Sequence, residues 1–178
     1  MGVAHRSPAG ASYVNDGCSP SHNLKETTMG QSLVKNYLHI VFSTKHRAAT
    51  IMPPYEAELH SYLGGICNNM GCQAIKIGGF TNHVHILCML SKKIALVNLV
   101  EEVKSHSSKW MKTKDESLLN FYWQDGYGAF SVNPSEIDKV INYISNQKEH
   151  HSKRTFEDEY RAFLKKYHVE YDERFVWD

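Results

Sequence analysis

The chain has 178 residues, of which 42% are hydrophobic and 22% are charged, as in a protein that folds as one compact domain. No stretch approaches the ~20 consecutive apolar residues of a membrane helix, which excludes a protein that spans a membrane by helices. The four cysteines lack C-x-x-C spacing and the start of the chain lacks a secretory signal, so we expect a cytoplasmic protein with reduced thiols and no structural zinc.

The net charge of +1 hides an uneven distribution of charge along the chain. Residues 29–114 carry ten Lys and Arg against four acids, whereas residues 115–178 carry eight against thirteen. The earlier part can therefore form an anion-binding surface on a nearly neutral protein, although charges spread over solvated faces would give the same totals.

Residues 1–28 differ in composition from the rest of the chain. They are rich in Gly, Ser, Pro and Asn and show neither a strand nor a helix period. We expect this segment to be poorly ordered, either as a disordered extension or as the product of a start codon assigned too far upstream. Residues 29–178 are then expected to form a single domain.

The first half of that domain alternates between strand and helix patterns. Residues 37–44 are β-branched and aromatic and predict a strand. Pro53-Pro54 opens a helix with apolar residues at helical spacing, which ends at Met70-Gly71. Residues 74–77 and 83–90 flank Gly and Asn turn residues and predict two strands joined by a tight turn.

The second half continues with a helix whose apolar stripe comprises Leu96, Val100, Val103 and Ser107. Residues 121–132 hold a strand that is interrupted around Gly126-Tyr127-Gly128. Ser135 is expected to cap a third long helix that runs to about His150, and residues 155–168 form a terminal helix. This order predicts an α+β fold, an antiparallel sheet with helices packed on one side, ferredoxin-like or RNA-recognition-like.

Two histidines stand one residue apart in the predicted strand after the tight turn. Side chains alternate between the faces of a strand, so His83 and His85 point the same way, roughly 6.6–6.8 Å apart along the chain. Val84 and Ile86 point the other way, into an apolar layer. Two adjacent imidazoles can converge on one cation, although two half-buried histidines with separate hydrogen bonds fit the same pattern.

The third long helix offers further polar groups. Tyr143 and Gln147 lie one turn apart on the flank of its apolar stripe, and His151 falls near the same flank. A side chain in that position lies where the helix meets a sheet or a neighbouring chain. It can reach a site there, or its polar end can simply remain in water.

Together these residues resemble a known family. His83-Val84-His85 resembles the HUH motif, in which a bulky apolar residue separates two histidines. Tyr143 followed four residues later by Gln147 resembles the catalytic helix of the small single-tyrosine HUH transposases of bacterial insertion sequences. The resemblance implies an HUH fold for residues 29–178.

Two further segments carry the same resemblance. Residues 37–47 are similar to the first strand of the family and the basic turn after it, and residues 123–132 are similar to its late strand. The spacing from the histidines to the tyrosine also fits the family. The resemblance covers about residues 32–165.

The resemblance implies a metal-dependent enzyme that cleaves and rejoins single-stranded DNA at the ends of an insertion sequence. Tyr143 would be the nucleophile and form a 5′-phosphotyrosine intermediate, so that joining is the reverse step. His83, His85 and Gln147 would hold a divalent cation, Mg²⁺ or Mn²⁺, as Lewis acid and template. The group that activates the phenol is not identified by the sequence.

The resemblance also implies partners. The family recognises imperfect DNA hairpins near the element ends and acts as homodimers, with the histidines of one subunit beside the tyrosine helix of the other. Lys45 and Arg47 after the first strand, and Lys104 and Lys109 on the second helix, are the candidates for phosphate contacts. The alternative is that these four residues are solvated surface cations.

Two other functions remain open at this point. An HUH replication initiator or relaxase-like nickase shares the histidine pair, although such chains are usually larger and many carry paired tyrosines. A non-catalytic nucleic-acid-binding domain derived from such an enzyme would keep the fold, but the presence of His83, His85, Tyr143 and Gln147 favours retained catalysis.

Overall fold

A computed structural model describes residues 31–177. The leader expected over residues 1–28 lies outside the described residues. The elements follow one another as β1 (Tyr37–Ser43), α1 (Pro53–Asn69), β2 (Gln73–Phe80), β3 (His83–Met89), α2 (Leu96–Met111), β4 (Gly128–Ser131), α3 (Ile137–Ser145), α4 (Gln147–His151) and α5 (Phe156–Lys166). This order confirms the sequence prediction, except that the third long helix is divided into α3 and α4.

The four strands form one antiparallel sheet in the order β2-β3-β1-β4. The histidine strand β3 is therefore central, because it pairs with β1 on one side and β2 on the other. In the β1–β3 register, Val41 is opposite His85 and Ser43 is opposite His83. A central strand is held by hydrogen bonds on both edges and gives its side chains a rigid base.

Helices cover both faces of the sheet, so the prediction of helices on one side is wrong. The face of β3 that carries Val84 and Ile86 packs against α1 and α2. The opposite face carries Leu87, against which Ile144 of α3 packs, and on β1 Val41 packs against α5. The physical reason is that β1 and β3 are buried on both faces, including the face that carries the histidines. Each face therefore has helices packed against it.

The tyrosine helix lies very close to strand β2. A Cβ atom added to Gly78 would lie 2.7 Å from both the side-chain Cγ2 and the carbonyl oxygen of Ile144. Only a residue without a side chain allows this approach. Gly78 therefore sets the distance between α3 and the sheet.

Two local expectations about the end of the sheet and the start of α3 need correction. The strand predicted over residues 121–132, with an interruption around Gly126-Tyr127-Gly128, is regular only in β4, and its part before the interruption makes a single bridge between Trp123 and Thr44. Ser135 does not cap α3. Instead Asn133 Oδ1 accepts a hydrogen bond from the Ser135 amide at 3.0 Å, which starts a 3-10 turn before the α-helix.

The membrane prediction can also be compared with the helices. Within residues 31–177, no helix combines the length and the apolar character needed to cross a bilayer.

Candidate active site

The histidine pair faces the layer formed by α3, α4 and α5, and both side chains are completely buried. One ring nitrogen of each histidine is fixed by a neighbour. His83 Nδ1 lies 2.8 Å from Asn82 Oδ1, and His85 Nδ1 lies 3.0 Å from His39 Nε2. The Nε2 atoms are left to face the interior of the site, which is the orientation that second-shell hydrogen bonds give to metal-binding imidazoles.

The break between α3 and α4 falls between the two other predicted site residues. Asn146 has φ −102° and ψ 22°, and its side-chain amide donates to the carbonyl of Asn142 at 2.9 Å. Tyr143 lies in the last turn of α3 and Gln147 begins α4, yet both still point at the histidines. The Gln147 Oε1 atom is 3.2 Å from His83 Nε2, and the Tyr143 ring centroid is 5.8 Å from that of His85.

The structure thus brings together all four residues that the sequence predicts for the catalytic and metal site, and it does so within one chain. Gln147 is buried, and the Tyr143 side chain is partly buried. The alternative interpretation of Gln147 as a surface glutamine does not hold.

A fifth side chain, Glu159 of α5, was missed by sequence reasoning. Its Oε1 atom accepts hydrogen bonds from the Tyr143 hydroxyl and from Gln147 Nε2, the latter at 3.0 Å. Its Oε2 atom lies 3.5 Å from His85 Nε2 and 3.7 Å from His83 Nε2. Glu159 is 4% exposed.

A sequence signal for Glu159 does exist. It stands within the apolar stripe of α5, which comprises Phe156, Tyr160 and Leu164. An acid at that helical position is directed into the core, whereas Glu157 and Asp158 in the same turn are not buried.

Burial controls the charges in this cluster. It lowers the pKa of His83 well below its ordinary value and that of His85 to about 3, and it raises the pKa of Glu159 to about 8. Without a cation the imidazoles are therefore neutral, and their contacts with Glu159 are not ion pairs even though the distances would allow them. A neutral imidazole has a lone pair that it can offer to a metal ion.

The donor set fits a divalent cation. Among the described residues, His85 Nε2 and Glu159 Oε2 are two of only three buried side-chain polar atoms without a hydrogen-bond partner. They face each other, and with an atom of His83 they form a group of ligand atoms within 4.8 Å of one another. Buried polar atoms are rarely left unpaired, so this arrangement is one that an ion would complete.

A cavity of about 390 Å³ gives access to the cluster from outside. Tyr143 and Glu159 form its inner wall, and His150, Lys153 and Arg154 form part of its rim. Glu149 also lines the cavity and lies 3.5 Å from Lys153, so the entrance through which a phosphate group could reach the Tyr143 hydroxyl carries charges of both signs.

The four cations predicted to contact DNA lie elsewhere, and three of them are engaged. Lys45 lies 3.4 Å from a carboxylate oxygen of Asp125, and Arg47 pairs with Glu157 at 2.8 Å. Lys104 donates to three backbone carbonyls at 2.7–3.1 Å.

Lys109 is the exposed member of that set. It lines a second cavity of about 560 Å³ together with Lys112 and Tyr122. This cavity borders α2, on the opposite face of the sheet from the histidines. The two groups of positive charge are therefore separate surfaces.

An antiparallel sheet that presents a buried histidine pair to a tyrosine on a late helix defines the class of HUH-type proteins. The comparisons identify the family within that class. The chain matches the family model of IS200-like transposases over residues 32–147, which is more than half of its length. The chain belongs to the IS200-like transposase family.

Solved structures agree on the fold. The chain is similar to the crystal structure of a candidate transposase from Deinococcus radiodurans R1, with a TM-score of 0.52 and 20% identity over 67% of this chain and 96% of that chain. It is also similar to a REP-associated tyrosine transposase bound to a REP hairpin, with a TM-score of 0.52 and 13% identity over 69% of this chain and 73% of that chain. The comparison with curated proteins finds no match.

Proposed function

We propose that this protein is a transposase that cleaves and rejoins single-stranded DNA at the ends of an insertion sequence, with Tyr143 as the nucleophile. The observation that carries the proposal is that, inside a single chain, the Tyr143 ring packs against His85 and its hydroxyl donates a hydrogen bond to Glu159 beside the histidine pair. The family membership supports an enzyme that acts on DNA.

In this proposal the Tyr143 oxygen attacks the scissile phosphorus and forms a phosphotyrosine at the 5′ end of the cleaved strand. The phenol gives up its proton as the new bond forms, the bond from phosphorus to the 3′ oxygen breaks, and that oxygen takes up a proton and leaves as a free hydroxyl. The energy of the phosphodiester is kept in the covalent bond, so the same steps in reverse join a strand without ATP. Glu159 holds the phenol in one orientation through the hydrogen bond to Oε1.

His83, His85 and Gln147 would hold the divalent cation, for which Mg²⁺ and Mn²⁺ are the expected ions. When bound, such a cation polarises the non-bridging phosphate oxygens and stabilises the leaving oxygen. The unpartnered His85 Nε2 and the position of Gln147 Oε1 beside His83 support this assignment. Asn82 and His39 keep the two rings oriented by binding their Nδ1 atoms.

The proposed substrate is single-stranded DNA that carries imperfect hairpins. The solved neighbour bound to a REP hairpin supports a hairpin substrate, since this chain shares its fold. The cavity beside Tyr143 would admit the scissile phosphate past Lys153 and Arg154, while Lys109 and Lys112 would contact phosphates on the opposite face. Homodimer formation and action in the cytoplasm remain part of the proposal.

A relaxase-like nickase is the second candidate enzyme, because it would share the histidine pair. Among the tyrosines of residues 31–177, however, only Tyr143 packs its ring against a histidine of the pair. A single nucleophile fits a transposase better than an enzyme with paired tyrosines. A non-catalytic DNA-binding domain is disfavoured because binding DNA does not require the buried polar cluster.

The proposal is tested by incubating the protein with end-labelled single-stranded hairpin DNA and Mn²⁺, and by separating the products on a denaturing gel. A covalent adduct is expected with the wild-type protein and with Tyr62→Phe, whose ring stacks on Trp110 far from the cluster, but not with Tyr143→Phe. Hairpin binding without an adduct would instead establish the non-catalytic alternative. Adduct formation by Tyr143→Phe would refute the nucleophile assignment, and cleavage without rejoining of two element ends would favour the nickase.

A further inference from the structure

We infer that α5 completes the cation site: Glu159 is an anionic ligand to the divalent cation of His83 and His85, and at the same time it positions Tyr143. This inference rests on the proposed function. It assigns a ligand that lies beyond residues 32–147, the part of the chain that the family model matches.

The two oxygens of Glu159 have different surroundings. Oε1 is occupied by two donors, the Tyr143 hydroxyl and Gln147 Nε2. Oε2 accepts no hydrogen bond from any described residue and is directed at the Nε2 atoms of both histidines. One carboxylate can therefore bind the nucleophile through one oxygen and an ion through the other.

The electrostatics of Glu159 point the same way. Among the described residues its ion-pair distances are to histidines only, namely His83, His85 and, at 3.2 Å, His151. No lysine or arginine among the described residues lies within ion-pair distance of this carboxylate. A buried carboxylate without a cationic partner is costly, and a divalent ion between Oε2 and the two Nε2 atoms removes that cost.

The packing of α5 makes the position of Glu159 well defined. Phe156 stacks on the His83 ring, with 4.6 Å between the ring centroids, and Tyr160 and Leu164 pack with Val41 of β1. Thr155 caps the helix by accepting a hydrogen bond from the Asp158 amide at 3.2 Å. The side chain is thus held by a whole helix and not by a loose terminus.

The added carboxylate has consequences for the ion. Two imidazoles, one carboxylate and the Gln147 amide oxygen form a mixed nitrogen and oxygen set with a charge of minus one. Such a set suits Mn²⁺ better than Mg²⁺, which prefers oxygen ligands and near-ideal octahedral geometry. We therefore expect the affinity for Mn²⁺ to exceed that for Mg²⁺.

The test is Mn²⁺ binding by isothermal titration calorimetry on the full chain without DNA. Glu159→Gln keeps the size of the side chain and an oxygen that can accept from Tyr143, but removes the charge. We expect it to weaken Mn²⁺ binding about tenfold or more. Glu149→Gln, the same change at an exposed residue on the rim of the cavity, is expected to bind Mn²⁺ like the wild type, and His85→Ala is the positive control.

Folding of each variant is checked by its melting temperature in a chelator. If Glu159→Gln does not fold, Glu159→Asp is used in its place. The aspartate keeps the charge but withdraws the carboxylate oxygen from the cation, so this variant must also weaken Mn²⁺ binding. Wild-type affinity in the folded Glu159 variant, with weakened binding in His85→Ala, would overturn the inference and leave the proposed function intact. Unchanged affinity in both variants would overturn the cation assignment of the proposed function as well.

Discussion

The Tyr143 hydroxyl donates a hydrogen bond to Oε1 of Glu159, a residue of a different helix sixteen positions further along the chain. This bond ties the end of α3 to α5 directly beside the buried histidine pair. The proposed nucleophile is therefore also a structural link between two elements that cover the same face of the sheet.

Tyr143→Phe should consequently reduce stability as well as abolish the covalent adduct. Glu159 Oε1 keeps Gln147 as a donor, so the expected loss in the free energy of unfolding is about 1 kcal/mol. Urea denaturation in a chelator measures it, with Tyr62→Phe as the matched control. Equal stability of Tyr143→Phe and the wild type would contradict the hydrogen bond.

Gly78→Ala should displace the tyrosine helix. The new methyl group would meet the backbone and side chain of Ile144 at 2.7 Å, so α3 must move away from β2. We expect a loss of about 1–3 kcal/mol of stability and a lower rate of adduct formation. Gly65→Ala is the control, since its Cβ meets no atom within 4 Å and alanine favours the helix; an equal effect of both changes would argue against the close approach.

The active site should assemble within one chain. The structure brings Tyr143 to the histidines of the same chain, so a mixture of Tyr143→Phe and His83→Ala proteins is expected to form no adduct on labelled hairpin DNA. Recovery of activity in the mixture would instead demonstrate the shared site that the family resemblance implies. A mixture of each variant with wild-type protein controls for inhibition.

Acid should destabilise the folded protein through its buried imidazoles. Burial lowers the pKa of His60 in α1, and its Nε2 atom is buried without a hydrogen-bond partner. Below its ordinary pKa the unfolded state binds a proton that the folded state does not, so the free energy of unfolding falls as the pH decreases through about 6.5.

His60→Leu should therefore make the melting temperature in a chelator less sensitive to a change from about pH 7 to about pH 5. Ser61→Leu, a change at an exposed residue of the same helix that does not titrate, serves as the control and should leave the pH dependence unchanged. An identical pH dependence of the His60 variant and the wild type would show that this imidazole can be protonated in the folded state.

Hairpin binding should depend on Lys109 of α2 and on Lys112 directly after this helix. Lys109→Ala and Lys112→Ala are expected to weaken binding to hairpins of different sequence by similar factors and to reduce the salt dependence between about 50 and 200 mM. Fluorescence anisotropy measures both effects. Lys139→Ala is the control on an exposed lysine of α3, and equal affinities for all four proteins would exclude α2 as the DNA-binding surface.

The sequence was sufficient for much of the fold because periodicity and turn residues act locally. Pro53-Pro54, the Thr81-Asn82 turn before β3 and the apolar stripe of α2 each predict an element without knowledge of the others. The helices on both faces were not predicted, because the histidines of β3 gave that face a polar character in the sequence. Their burial becomes evident only when α3 and α5 are in place.

The site shows the same division between local and long-range information. His83 and His85 share a face by strand geometry alone, and Tyr143 and Gln147 are close along the helix. Glu159 reaches them only because α5 folds back over β1, a contact between distant parts of the chain. The break at Asn146 was not predicted because no Gly or Pro marks it in the sequence. The break instead accompanies a hydrogen bond from the Asn146 side-chain amide to the preceding turn.

The depth of the cluster bears on the fate of the proposed covalent intermediate. His83, His85, Gln147 and Glu159 are at most 4% exposed, so bulk water would reach a phosphorus atom bound to Tyr143 only through the cavity that admits the DNA. Such shelter suppresses hydrolysis, which would leave a broken strand that can no longer be resealed. The enclosure by α5 would in this way favour faithful transfer of the strand to a new DNA end over irreversible loss of the element.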